Sequence, residues 1–282
     1  MPPRQALPLR ACEAITVRRR TVGAMKGRPL ILDRFSLKGK AALVTGSSRG
    51  LGAAIAMALA EAGARVAVHG SNALPEATRR RIAGCGAEAV ALVGDLGHVE
   101  VCARLVEETV SRLGAIDILV NNAGIIRRSP ALEQSQEDWT TVLNVNLSAV
   151  FRLTQHAGRH MLARGSGKVI NLASLLSFQG GLFVPAYAAA KGGVAHLTKA
   201  FANEWAAKGV NVNAIAPGYM ATDNTEALRK NPERSRQILE RIPAGRWGDP
   251  GDLAGAAVFL ASPASDYVNG HVLVVDGGWL SR

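Results

Sequence analysis

The run Ala186-Tyr187-Ala188-Ala189-Ala190-Lys191-Gly192-Gly193 sets a tyrosine and a lysine four positions apart among small residues. On a helix over 186–207 the two side chains share a face, one turn apart, which brings an ammonium near a phenol oxygen. A neighbouring positive charge favours phenolate and draws the tyrosine pKa toward working pH, as a general acid/base requires. Tyr-x-x-x-Lys by itself recurs by chance about once in every couple of chains of this length. Ser174, just past the end of a predicted strand, adds a hydroxyl able to hydrogen-bond the same substrate oxygen. Together the three side chains have the logic of proton transfer to or from an alcohol or ketone.

A second cluster suits phosphate. Thr45-Gly46-Ser47-Ser48-Arg49-Gly50-Leu51-Gly52 lies between a strand and a helix. Glycines there permit a tight turn and let backbone N–H groups approach a pyrophosphate at the positive helix end. The spacing is G-x-x-x-G-x-G, which differs from the G-x-G-x-x-G of the general dinucleotide fingerprint. Asn121-Asn122-Ala123-Gly124 follows the fourth predicted strand, at the edge where open α/β sheets bind ligands, although its Asn side chains also suit loop backbone groups. Asn146 falls inside a long predicted helix, where an Asn is either tolerated or bonds to nearby backbone.

These residues need a frame, and the chain from Lys40 onward supplies one. Short β-branched runs at 41–45, 65–69, 89–93, 116–121, 168–173, 210–216 and 271–276 alternate with longer helical stretches. That order predicts one α/β domain with a seven-stranded parallel sheet and helices on both faces, a doubly wound arrangement of Rossmann type. Leu51, Ile55 and Leu59 recur every four residues along the first helix.

Composition excludes several alternatives. With 48% hydrophobic and 20% charged residues the chain reads as an ordinary globule without repeats. The charge-free stretch 169–190 holds Asn171, Gln179 and Pro185, so it reads as buried strand plus loop and no membrane partner is expected. Cys12, Cys85 and Cys102 lack C-x-x-C spacing, so neither a disulfide framework nor a zinc knuckle is expected, and a reducing cytoplasm is the expected setting. His156 and His160 stand four apart without a third ligand, which leaves no expected metal site.

Of the net charge of +11, residues 1–34 carry +6, from eight Arg and Lys against Glu13 and Asp33. This proline-containing leader reads as a disordered basic arm or as a start placed too early, with Met25 the alternative start; a transit peptide or a nucleic-acid arm are the other readings. The folded domain is expected over 35–282 and is only mildly basic, so no nucleic-acid partner is expected.

In order along the chain, Thr45-Gly46-x-x-x-Gly50-x-Gly52, Asp95, Asn121-Asn122-Ala123-Gly124, Asn146, Ser174, Tyr187, Lys191, Pro217-Gly218 and Thr222 resemble the short-chain dehydrogenase/reductase family. The resemblance covers residues 35–282. It implies a Rossmann-type domain that moves a hydride between NAD(P)(H) and an alcohol or ketone. Tyr187 would be the proton donor/acceptor and Ser174 would polarise the carbonyl. Lys191 would hold the nicotinamide ribose while lowering the tyrosine pKa, and Asn146 would anchor a water relaying protons to Lys191. Gly46, Ser48, Arg49, Gly50, Leu51, Gly52, Ser71, Asp95, Leu96, Asn122, Ala123, Gly124, Pro217, Gly218 and Thr222 would line the cofactor, with Asp95 near the adenine.

The second half, through "SLLSFQGGLFVPAY", "RIPAGRWG" and "VDGGWLSR", is similar to a subgroup of that family acting at carbon 5 of 2-keto-3-deoxy sugar acids, and implies a homotetramer. A sister subgroup acting on gluconate, a 3-oxoacyl-acyl-carrier-protein reductase and a non-catalytic nucleotide sensor are the alternatives. Arg127, Arg128, Gln179 and Arg246 are candidates to hold a substrate carboxylate, against the alternative of solvated loop charges. His69-Gly70-Ser71-Asn72 at the end of the second strand carries no carboxylate to repel a 2′-phosphate, and Arg49 and Ser71 could meet one, which favours NADP(H); the subgroup resemblance favours NAD(H).

Overall fold

The computed structural model describes residues 30–282, so Cys12 and most of the basic leader lie outside the described residues. The seven predicted strands form as β1 (Ala41–Val44), β2 (Arg65–Gly70), β3 (Ala89–Val93), β4 (Ile118–Asn121), β5 (Gly167–Leu172), β6 (Val210–Pro217) and β7 (Val272–Val275). All pair in parallel in the order β3-β2-β1-β4-β5-β6-β7. The order reverses between β1 and β4, and a crevice forms at such a switch point because the connections leave in opposite directions.

Successive strand residues point to opposite faces, and both faces are covered, which is why the strands read as nearly continuous apolar runs. Val44, Val68, Val120 and Ile170 pack with Ile55 and Leu59 of α1 (Gly50–Glu61) and Leu260 of α9 (Ala254–Ala261). Leu43, Leu119 and Val169 point the other way, into a core with Leu105 of α3 (Val99–Leu113), Leu153 of α5 (Ala149–Arg164) and Trp205 of α6 (Pro185–Trp205). The remaining helices are α2 (Glu76–Gly84), α4 (Gln136–Leu143), α7 (Glu226–Lys230) and α8 (Pro232–Arg241). The last two lie between β6 and β7, on the crevice side.

Two details depart from the sequence reading. The folded part reaches back past residue 35: Ile31–Phe35 form a 3₁₀ turn that docks through Phe35 against Phe259 and through Arg34, which donates to the Pro263 carbonyl at 2.8 Å. The long helix predicted around Asn146 is interrupted by a π-helical segment, Asn144–Ser148, between α4 and α5. A π turn widens the helix and re-aims the residue it carries, and such turns gather at functional sites.

Candidate active site

The glycine loop is shaped for close approach. Gly46 (φ +62°) and Gly50 (φ +56°) occupy the left-handed region that favours glycine. A Cβ on Gly46 would stand 2.8 Å from the Ala123 Cα, and one on Gly52 would collide with the Asn122 Nδ2. Asn122 donates from that Nδ2 to the carbonyls of Thr45 (2.8 Å) and Gly46 (3.0 Å). The Thr45 hydroxyl accepts from the N–H groups of Asn122 and Ala123. Asn122 therefore holds the loop, and its bearing on a cofactor runs through the loop's shape. This cradle fits a dinucleotide pyrophosphate at the N-terminus of α1, which carries no acidic residue in its first turn to oppose an anion.

At the end of β2, a Cβ on Gly70 would meet the Ser48 hydroxyl at 2.9 Å, so Ser48 and Ser71 flank the strand tip. Asp95 is exposed and caps its own turn through Gly97 N–H at 2.9 Å, while Leu96 beside it is buried. Leu51 is half-buried against the core. Arg49 reaches across the cleft mouth and pairs with Asp223 at 2.7 Å, next to Thr222, whose methyl group faces Gly50. Pro217 ends β6, and Gly218 follows it with no room for a side chain against Asp276.

Ser174, Tyr187 and Lys191 are brought together at the carboxyl end of β5. The Ser174 Oγ accepts from Leu176 N–H at 3.2 Å, which leaves its own proton to donate, and it interacts with the Tyr187 phenol. Ser177, unnoticed in the sequence, ties this turn to α6 by donating to the Lys191 carbonyl at 2.7 Å. Behind the site, Asn121 donates to Thr154 and Asn171, and Asn171 donates to Thr198. These buried bonds fix β4 and β5 against α5 and α6, and so fix Ser174 relative to Tyr187.

The Lys191 ammonium is 4% exposed, donates to the Leu172 carbonyl and lies 5.6 Å from the centre of the Tyr187 ring. Burial holds its pKa down to about 8. For Tyr187 the net direction is upward, the reverse of the sequence expectation: burial raises the phenol pKa more than the Ser174 hydrogen bond and the Arg128 charge lower it. Asn146 spends both polar side-chain atoms on Ile125, accepting from its N–H at 2.9 Å and donating to its carbonyl at 2.7 Å. One Nδ2 hydrogen of Asn146 is not used in these two bonds.

The candidate substrate residues fare differently. Arg127 pairs with Asp138 at 3.4 Å, and Arg246 forms a two-pronged contact with Asp252 at 2.7 and 3.0 Å. Arg128 donates to the Asn224 carbonyl and bears electrostatically on Tyr187. Gln179 accepts from the Trp279 indole at 3.3 Å and from Arg241 at 3.5 Å. Arg241, missed in the sequence, stacks over Trp279 at 4.0 Å and has no carboxylate partner among the described residues. Its signal lies in tertiary placement, since α8 and the C-terminal turn are distant in sequence. His69, noted only for not being a carboxylate, is buried against the glycine loop.

Among the described residues no group of His, Cys, Asp and Glu is arranged to hold a metal ion, and His160 contacts Glu107 instead. Cys85 is exposed and Cys102 buried, both unpaired. No helix among the described residues is long and apolar enough to cross a membrane.

A doubly wound parallel sheet with a glycine loop at its switch point and a Ser-Tyr-Lys cluster beside it defines a nucleotide-dependent oxidoreductase. The chain belongs to the short-chain dehydrogenase/reductase family and is an NAD(P)-dependent enzyme. A family model described as enoyl-(acyl carrier protein) reductase matches residues 46–280. The chain is 52% identical to a 2-dehydro-3-deoxy-D-gluconate 5-dehydrogenase of Escherichia coli (strain K12), over 90% of this chain and 100% of that one. It is 56% identical to the protein of the same name from Bacillus subtilis (strain 168), over 89% and 98% of the two chains. A crystal structure of a gluconate 5-dehydrogenase from Burkholderia cenocepacia J2315, in complex with NADP and tartrate, superposes with a TM-score of 0.85. Its sequence is 45% identical, over 89% of this chain and 99% of that one.

Proposed function

We propose that this enzyme interconverts the carbon-5 hydroxyl and ketone of a 2-keto-3-deoxy sugar acid, with Tyr187 as acid/base. The observation that carries the chemistry is the Ser174-Tyr187-Lys191 cluster set against a glycine loop shaped for a dinucleotide. The carbon-5 position follows the names of relatives that share about half of this sequence over nearly its whole length. Bound NAD(P) supplies the acceptor or donor of the hydride.

In the oxidative direction the Tyr187 oxygen takes the substrate hydroxyl proton as the hydride leaves carbon 5; burial disfavours the phenolate this requires, and the Lys191 ammonium is the charge that offsets it. In reduction the phenol returns that proton to the ketone oxygen. Ser174, whose hydroxyl bears on the Tyr187 oxygen, can turn its proton to the substrate oxygen and steady it in both directions. The Lys191 ammonium, shielded from water, supplies positive potential beneath the phenol and loses it as pH rises through about 8. Arg128 and Arg241 are the cations we assign to the substrate carboxylate, since Arg127 and Arg246 are each engaged with a carboxylate of the chain.

The same reading makes the protein a homotetramer of the cytoplasm. A groove between α5 and α6, lined by Leu147, Phe151, Gly193 and Leu197, supports assembly, because Phe151 is 41% exposed there. NADP(H) is the cofactor we favour, because no carboxylate stands beside Gly70 and Ser71.

A cofactor-absorbance assay against 2-keto-3-deoxygluconate, its 5-keto product, gluconate and an acetoacetyl thioester tests the assignment. Highest kcat/KM on the first pair is expected. Preference for gluconate would move the enzyme to a sister subgroup, and preference for the thioester would overturn the sugar-acid assignment.

A further inference from the structure

His69 ends a run of small and apolar residues in β2 and is 1% exposed, yet it takes no part in proton transfer at Tyr187. Every polar atom it owns is directed at the turns around the cofactor cradle. Its backbone N–H donates to the Ser47 hydroxyl at 2.8 Å, and its carbonyl accepts from Ser47 N–H at 2.9 Å. On the ring, Nδ1 faces the N–H of Gly46 at 3.1 Å and Nε2 faces the carbonyl of Gly94 at 2.8 Å.

These partners determine the protonation state. Gly46 N–H can only donate, so Nδ1 must be the bare acceptor; the Gly94 carbonyl can only accept, so Nε2 must carry the proton. One tautomer of the neutral ring satisfies both. An imidazolium would turn an N–H toward the Gly46 N–H, leaving two donors face to face inside the core. Gly46 has no freedom to move away, because its α-carbon is already packed against Ala123 and its carbonyl is held by Asn122.

We propose that His69 is the positioning residue of the cofactor loop, holding Gly46 and the turn after β3 in binding geometry only as the neutral Nε2–H tautomer. Cofactor affinity is thereby coupled to pH through a side chain that belongs to the loop's support. Two charged groups bear on the ring: Asp95, on the turn after β3, favours protonation, and Arg104, on α3, opposes it. Burial is the largest influence; it outweighs the Gly94 carbonyl bond and Asp95, which both favour the charged ring, and places the titration below the ordinary histidine value. The cradle is intact above that range and is lost as pH falls through it.

The test measures NADP⁺ binding calorimetrically to the full chain at pH 7.5 and 5.5, with thermal melts to show folding. His69→Asn keeps an acceptor near Nδ1 that does not titrate, whereas His69→Leu fills the space without one. Between the two pH values the wild-type Kd should rise a few-fold more than that of His69→Asn, a rise that stays below about tenfold because the ring titrates below the ordinary histidine value. The 2′-phosphate of the ligand titrates identically in both proteins, so it cancels in this comparison. His69→Leu, if folded, should bind weakly at both pH values. Parallel pH dependence in wild type and His69→Asn would overturn the proposal, as would wild-type affinity at pH 7.5 in a folded His69→Leu protein. Should His69→Leu fail to fold, the comparison with His69→Asn decides alone.

Discussion

Around the glycine loop, contacts are short and made largely by backbone: Thr45, Asn122 and His69 each bond directly to main-chain atoms of neighbouring turns. Elsewhere on the catalytic side, long side chains of distant segments meet one another: Arg128 after β4 reaches Asn224, and Gln179 after β5, Arg241 on α8 and Trp279 at the C-terminus come together. The first region fixes a shape that one kind of ligand needs. The second fixes a charge pattern that can change without disturbing the sheet. Binding a common cofactor demands backbone geometry, which few residue types can provide, whereas choosing a substrate demands only that some cation arrive at a given point.

The largest effect is expected at Tyr187, where the two regions meet. Tyr187→Phe should cut kcat by roughly 10²–10⁴ while leaving the cofactor Kd within about twofold, because only the proton-carrying atom is lost. Steady-state kinetics beside a binding titration would show it. Retention of more than about a tenth of the wild-type kcat would remove Tyr187 from the acid/base role.

Lys191 sharpens the contrast by opposing stability to function. Its ammonium is buried and its pKa held down to about 8, so the folded state bears a cost that is full below pH 8 and fades as pH rises toward the ordinary lysine value. Lys191→Met removes that charge. Activity should fall at least tenfold, since the phenol loses its nearby cation. At pH 7 the variant should nonetheless be more stable, by on the order of 1–3 kcal/mol, with the gap closing above pH 10. Denaturant titrations at several pH values measure it, and a variant less stable than wild type throughout would mean that the bond to Leu172 outweighs the buried charge.

How much of this was legible in the sequence follows the same division. All seven strands were, because each is an apolar run punctuated by glycine or a polar turn; the sheet is buried on both faces at its centre, while the edge strand β7 is part-exposed yet keeps the same composition. Gly46, Gly50 and Gly52 were legible because steric demand leaves a one-letter trace at fixed spacing. The π turn at Asn146 was not, since it conserves helical composition and changes only the hydrogen-bond step. Arg241 over Trp279 and the pairings of Arg127 with Asp138 and Arg246 with Asp252 were not, because side-chain contacts between separate segments leave no sequence period. The direction of the Tyr187 shift was misjudged for a related reason: spacing predicted the nearby ammonium but carried no measure of burial, and burial wins. His69 was read by what it lacks at the position of a ribose-binding carboxylate, and its two ring contacts emerge only when β1 and β3 flank β2.

Arg49 belongs to neither region cleanly and gives the smallest expected effect. It springs from the backbone-built loop but ends as a solvent-exposed side chain paired with Asp223, and an exposed pair of this kind contributes little to stability. That weakness is useful if the guanidinium has an alternative partner in a 2′-phosphate, to which it can donate two parallel hydrogen bonds. Arg49→Ala should then lower kcat/KM with NADP(H) by roughly five- to tenfold and leave NAD(H) within about twofold. Asp223→Asn, by releasing the arginine, should move the ratio a few-fold the other way, because the competing carboxylate is gone. The ratio of the two cofactor efficiencies in the three proteins is the measurement. An Arg49→Ala enzyme that penalises both cofactors equally would place Arg49 with the loop's scaffolding, and the preference for NADP(H) would then rest on Gly70 and Ser71 alone.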